Sequence, residues 1–379
     1  MRNRLFLAAC LASCWAIATA SPAWAQTYKI GASVGLSGYA APTDTAWRDG
    51  VLLAAEALNA KGGIAGRKIE VIVEDNRSEP QEAVTAYRKM LQSDKVDIFA
   101  SGCVSAGNFA AAAFVVKAGV PMVLCSILPN PPDQIKWAFS TLPPPKFEVE
   151  TRLQYLKDRT QIKSFGILHD PTPYANLQAS IAEKAAASFG LTVAGNEQYR
   201  QEDADLGVQL GRLNAAGAKA ILKIGLGGTT LTAAKNLKAL GLDTPILNSL
   251  DDVTLFRPVA DVMGERFMFV ASPSQVYDAL PAGPLKAALA DFLTPWRAKY
   301  GDRDPNWASR GWDAVMLTAA AVKLAGSTDG AKVRDAMEQV KGFQGTTGIY
   351  NISPEQHYGL TENPLLLAQI AGGTARIVP

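Results

Sequence analysis

From residue 28 onward the apolar positions follow two alternating periods. "YKIGASVGLSG" (28–38) is an apolar run closed by glycines. "TAWRDGVLLAAEALNAKGG" (45–63) repeats apolar residues at helical spacing, at Val51, Leu52, Ala55 and Leu58. Gly62 supplies the left-handed turn that stops this helix. "KIEVIVED" (68–75) then alternates like a strand, with Ile69, Val71 and Val73 on one face and acidic residues where it runs out. "EPQEAVTAYRKMLQSD" predicts a helix: Pro80 suits its first turn, and Glu79 and Glu82 favour its positive end. "VDIFASG" reads as a strand, "NFAAAAFVVKAG" as a helix and "PMVLCS" as a strand. The order β-α-β-α-β-α-β predicts an α/β fold with a parallel sheet covered on both faces. Ligands bind such sheets at the carboxyl edge, where the acidic end of "KIEVIVED" lies.

The pattern breaks at "TLPPPKF" (141–147), because consecutive prolines continue neither a helix nor a central strand. A second series follows. It has strands at "SFGILHD" (164–170), "LTVAGNEQY", "AKAILKIG" and "TPILNS", and helices at "ANLQASIAEKAAASFG" (175–190), "LGVQLGRLNAAG" and "LTAAKNLKALGL". Two doubly wound half-sheets joined by a Pro-rich crossing predict two lobes with a cleft between them. The tail carries long helices at 283–301 and 309–327, a third at "AKVRDAMEQVKGF", and then short strands and turns.

The N-terminus adds a compartment. Arg2 and Arg4 precede an uncharged apolar stretch from Leu5 to Ala20, and Pro22-Ala23-Trp24-Ala25 offers small residues for a signal peptidase. This predicts a signal peptide over 1–25, a mature chain from Gln26, and periplasmic export. A membrane anchor and a lipobox at Leu7-Ala8-Ala9-Cys10 are the competing readings; the first run is short for a span and the second leaves too short an apolar region. Loss of Arg2 and Arg4 leaves 35 basic against 35 acidic side chains, so nothing attracts nucleic acid or anionic lipid. Cys103 and Cys125 remain, each where an apolar strand ends. A disulfide is open to them in an oxidising compartment; two small buried residues is the preferred reading.

"IGASVGLSG", "GVLLAAEALNAKGGIAGRKIEVIVEDNRSEPQEAV", "AGVPMV" and "GWDAVMLTAAAVKLAGSTDG", in this order, resemble the periplasmic solute-binding proteins of the branched-chain amino acid uptake systems. The resemblance implies the type I periplasmic-binding fold: two α/β lobes linked by three crossings. Lobe one would take 27–143 plus 276–347, and lobe two 144–275 plus 348–379. The lobes would close over a small carboxylate, and the closed monomer would dock on the permease and ATPase of an ABC importer.

The resemblance also places a site. The ligand carboxylate would meet Ser105 and the N–H groups of Ala106 and Gly107, at a helix N-terminus that favours anions. Ser105 as a mere helix cap is the plain alternative. Ser126 would offer a backbone N–H, and Leu128 stands where amino-acid binders carry a hydroxyl. Tyr174 would cover the ligand, and Tyr39 or Thr43 would line the cleft. An acidic partner for an ammonium group is the open point. Leu250 takes its position, with Asp251 and Asp252 just after. Asp251 turned inward would favour an amino acid; turned away, a carboxylate without an amine, such as an aromatic acid. No Arg matches a site position, so neutral donors would hold the carboxylate.

An enzyme is disfavoured. There are two histidines, and His169-Asp170 alone is too few ligands for a metal. No G-x-S-x-G occurs, and "GLGGTT" (225–230) lacks the third glycine of a dinucleotide loop. No cofactor is expected. A sensor that reports its ligand to a receptor is the remaining competitor to transport.

Overall fold

A computed structural model describes residues 27–128 and 132–378. The signal-peptide expectation for 1–25 lies outside the described residues. The first half runs β1 (Tyr28–Val34), α1 (Ala41–Asn59), β2 (Ile69–Asp75), α2 (Pro80–Lys89), β3 (Ile98–Ser101), α3 (Ser105–Lys117), β4 (Met122–Leu124), α4 (Pro132–Ile135) and β5 (Ala138–Ser140). Its five strands form one parallel sheet in the order β2-β1-β3-β4-β5. Alternate side chains feed two cores. Ile30, Ala32 and Val34 face the α1 side, while Phe99, Met122 and Leu124 pack with Tyr87 and Val115 of α2 and α3.

The chain then forms α5 (Pro145–Arg159), β6 (Ser164–His169), α6 (Pro173–Ala185), β7 (Thr192–Gln198), α7 (Gly207–Ala215), β8 (Ile221–Ile224), α8 (Thr229–Ala239), β9 (Ile246–Asn248), α9 (Val253–Met263) and β10 (Phe267–Ala271). It continues through α10 (Pro284–Tyr300), α11 (Asn306–Ala325), α12 (Gly330–Met337), the small hairpin β11 (Phe343–Gln344) and β12 (Ile349–Tyr350), then β13 (Leu366–Ala371) and β14 (Thr374–Ile377). The second sheet is ordered β14-β13-β10-β9-β8-β6-β7. Its last two strands are antiparallel, unlike the wholly parallel sheet expected. Gly372 and Gly373, both at positive φ, make the two-residue turn between them.

Two local findings differ from the sequence reading. Helix α5 begins at the third proline of "PPP", because Pro145 sits in the first turn where no N–H is needed. Its core-facing stripe carries Glu148 and Arg152, both fully buried, and these charges hide its helical period. Cys103 and Cys125 are disulfide-bonded, so the preferred reading of two free buried residues is corrected. Parallel pairing of β3 with β4 ends both strands side by side and leaves the two Cα atoms 4.5 Å apart.

Helices α10 and α11 follow β10 of the second sheet in sequence, yet α11 packs on α1 and the first sheet. The approach is close: a Cβ on Gly50 would lie 1.9 Å from the Ala308 carbonyl oxygen, and one on Gly311 2.3 Å from that of Trp47.

Candidate functional site

Each sheet has one place where its winding reverses: between β1 and β3 in the first, and between β6 and β8 in the second. Strand carboxyl ends splay apart there and leave a crevice. The loops at these two crevices meet. Thr43 of α1 donates to Asp251 after β9 at 3.3 Å, and the Tyr39 carbonyl oxygen lies 3.3 Å from where a Cβ on Gly227 would sit. Between them is a small cavity of about 10 Å³, room for about one water. Ser105, Ser126 and the Cys103–Cys125 disulfide wall it from the first sheet. Tyr174 and Leu226 wall it from the second, Leu142 from the crossing after β5 and Trp307 from the first turn of α11. A larger groove of about 530 Å³ lies elsewhere, between α5 and the β13–β14 hairpin near Tyr155, Asn363 and Val378. It is open and none of the expected site residues lines it.

Ser105 is the first residue of α3, and Val104 holds the capping position. The Ser105 hydroxyl is buried with no hydrogen-bond partner among the described residues, so it does not cap its helix. The N–H groups of Ser105, Ala106 and Gly107 belong to the first turn, which has no intrahelical acceptor for them. Gly107 turns its Cα toward α2, where a Cβ would lie 2.7 Å from that of Ala83. The Ser126 hydroxyl accepts from Asn108 Nδ2 at 2.9 Å and donates to the Ile127 carbonyl. Leu128 is half-buried outside the cavity wall, and its N–H donates to Tyr358 Oη at 3.1 Å.

The acidic end of β2 does structural work. Asp75 accepts from the Leu36 and Arg77 N–H groups and the Ser37 hydroxyl, which fixes the loop after β1. Burial would raise its pKa, but these N–H and hydroxyl donors hold it below the ordinary value.

Tyr174, in the first turn of α6, is buried at 7% exposure rather than on the surface. Its hydroxyl donates to Glu148, 2.9 and 3.0 Å from the two carboxylate oxygens. Leu250 N–H donates to the same carboxylate at 2.8 Å. Asp251 is buried, but its oxygens are taken up by Gly227 N–H at 2.8 Å, Asp252 N–H at 2.8 Å and Thr43. Burial raises its pKa, against the Asp252 and Gly227 N–H groups and, last, the Lys223 ammonium buried inside β8. Asp252 caps α9 by accepting from Thr254 N–H. The "GLGGTT" loop is explained by close packing: a Cβ on Gly225 would lie 2.3 Å from the Asp170 carboxylate.

Residue-level reading missed Arg310. It sits in α11 with 0% exposure, its guanidinium 4.8 Å from the Trp307 ring centroid. None of its three side-chain nitrogens has a hydrogen-bond partner among the described residues. Glu148 and Tyr174 both act on it electrostatically. Only spatial placement separates it from a surface arginine; "WASRGWDA" carries no such signal.

A family profile described as "Periplasmic binding protein" matches residues 27–375. The chain belongs to the periplasmic binding protein family. Within that family it is 25% identical over 350 residues to a leucine-, isoleucine-, valine-, threonine- and alanine-binding protein of Pseudomonas aeruginosa, covering 91% of this chain and 90% of that one. Two solved periplasmic binding proteins show the same fold. A branched-chain amino acid transporter substrate-binding protein of Streptococcus pneumoniae, in complex with isoleucine, superposes with a TM-score of 0.76 at 24% identity, over 92% of this chain and 98% of that one. A solute-binding protein of an ABC transporter from R. palustris, in complex with benzoate, gives 0.76 at 20% identity, over 93% and 95%. The two doubly wound sheets and their facing crevices are thus the type I periplasmic-binding fold. Among the described residues no helix is long and apolar enough to cross a membrane.

Proposed function

We propose that this periplasmic binding protein captures a small organic carboxylate in the cleft between its two sheets and delivers it to the permease and ATPase of an ABC importer. One observation carries this reading. Residues from the carboxyl ends of both sheets converge on a single buried cavity whose donors, the Ser105 hydroxyl and the α3 N-terminus, suit an anion. The ligand contacts we assign are Ser105, the N–H groups of Ala106 and Gly107, Ser126 and Tyr174. Tyr39, Thr43 and Asp251 hold the halves together across the cleft. Leu128 takes no part in the cavity wall.

The lobes are 27–143 with 276–347, and 144–275 with 348–379, save that β12 and His357 stay on the first half, paired with β11 and stacked on Phe139; the chain works outside the cytoplasm after loss of residues 1–25. Relatives bind isoleucine in one case and benzoate in another, so the fold serves both amino acids and aromatic acids. No chemistry on the ligand is required: the site residues bind and close.

Closure is the testable consequence. A cavity of about 10 Å³ holds no organic acid, so the halves part to admit one and shut again on it. A thermal-shift screen over aliphatic amino acids, aromatic amino acids and aromatic acids should find at least one that raises the melting temperature. X-ray scattering should then show a smaller radius of gyration with that ligand than without it. A ligand that binds with no change in radius would refute closure.

A further inference from the structure

Beside the cavity lies a charged group, Arg310, whose hydrogen-bonding capacity is unused among the described residues. Arg310 carries five N–H donors, and a buried guanidinium without acceptors is costly. The acids around it are each taken up elsewhere. Glu148 accepts from Tyr174 Oη and Leu250 N–H. Asp313 accepts from Thr346 N–H at 2.9 Å, from the Thr346 hydroxyl at 2.9 Å and from Tyr350 Oη at 3.2 Å. Tyr350 and Tyr174, the remaining groups whose charge acts on Arg310, donate their hydroxyl protons to these same two carboxylates.

Arg310 does not itself line the cavity but lies directly behind its wall. Its guanidinium lies 4.8 Å from the ring centroid of Trp307, and Trp307 and Tyr174, which also acts on it, both wall the cavity. Two residues of the cavity wall carry unpartnered polar groups of their own, the Ser105 hydroxyl and the Trp307 indole N–H. The rest of the wall is Ser126, whose hydroxyl is engaged by Asn108 and Ile127, with Trp307, Tyr174, Leu142, Leu226 and the disulfide, a mostly apolar set that suits an apolar body. Among the described residues no Asp or Glu side chain lines it. The acid best placed to meet an ammonium group, Asp251, is already held by Gly227 N–H, Asp252 N–H and the Thr43 hydroxyl.

Resting on the carboxylate-binding reading above, we propose that Arg310 receives the ligand's carboxylate, and that the ligand is an apolar organic acid without an ammonium group. The guanidinium supplies two parallel N–H donors, the geometry that matches a carboxylate. Ser105 and the first turn of α3 offer further donors to the same acid. An amino acid would bring its ammonium group beside a buried cation with no free carboxylate to meet it.

Calorimetry with benzoate, cyclohexanecarboxylate, benzamide and leucine tests this. The wild-type protein should bind one of the two simple acids at least about 100-fold more tightly than benzamide or leucine. Arg310→Gln should weaken that acid by about 100-fold or more and leave benzamide nearly unchanged, removing the discrimination. Arg310→Lys should recover part of it. If Arg310→Gln does not fold, the wild-type preference of acid over amide decides alone: parity overturns the assignment. Tight leucine binding that survives Arg310→Gln overturns Arg310 and the ligand class but leaves a carboxylate binder. Binding of benzamide alone removes the carboxylate reading itself.

Discussion

Asp44 shows how a single buried acid organises the cleft. Its carboxylate accepts from Gly35 N–H and Cys103 N–H, each at 2.7 Å, and so ties the loop after β1 to the loop after β3. Burial pushes its pKa up to about 7, although these two N–H groups oppose the shift. The folded pKa exceeds the ordinary 3.8, so the folded state holds more protons than the unfolded one between these values. Stability from this group therefore falls as pH rises from about 4 to about 7, then levels off. An Asp44→Asn variant lacks that titration and also loses one acceptor. The wild-type advantage over it should shrink by up to about 1.4 kcal/mol per pH unit across that window, measured by urea unfolding at several pH values. Parallel stability curves for the two proteins would sink this account. Residue identity alone did not reveal Asp44, Glu148 or Arg310 as interior groups, because a charge in a helix reads as a solvated face until its neighbours are known.

Elements were the scale most legible in the chain. The strand "KIEVIVED" and the helix stopped at Gly62 appear where the periods place them, as β2 and α1. The stop works as the turn residues require: Gly62 and Gly63 both take positive φ, and a Cβ on Gly63 would lie 2.0 Å from the Arg67 carbonyl oxygen. Helix α5 was illegible because Glu148 and Arg152 interrupt its apolar stripe, and the antiparallel β13 because short C-terminal runs carry no direction. The contact of α1 with α11 was hidden too, since its requirement is a paired absence of side chains at Gly50 and Gly311. Gly50→Ala should push the two helices apart and cost about 1–3 kcal/mol, seen as a lower urea midpoint. An unchanged midpoint would mean that the helices are not held at this distance.

At the scale of the molecule, Thr43 to Asp251 is one of the direct polar contacts that hold the two halves together across the cleft. Thr43→Val removes that donor and should favour the open form. Ligand affinity should fall several-fold, about 1 kcal/mol, with the radius of gyration of the ligand-free protein rising in scattering. An unaltered affinity and radius would show that closure does not use this contact. The local order of elements, the two α/β series and the break between them follow from the sequence by itself, because hydrophobic period and turn chemistry act over a few residues. The family resemblance followed from that order. The tertiary structure decided what lies side by side: the Cys103–Cys125 bond, the return of α11 onto the first sheet, Asp251 held by Gly227 and Thr43, and Arg310 left without a partner beside Trp307. These depend on groups far apart in the chain meeting in space, and burial and the supply of hydrogen-bond partners are properties of that meeting rather than of any residue.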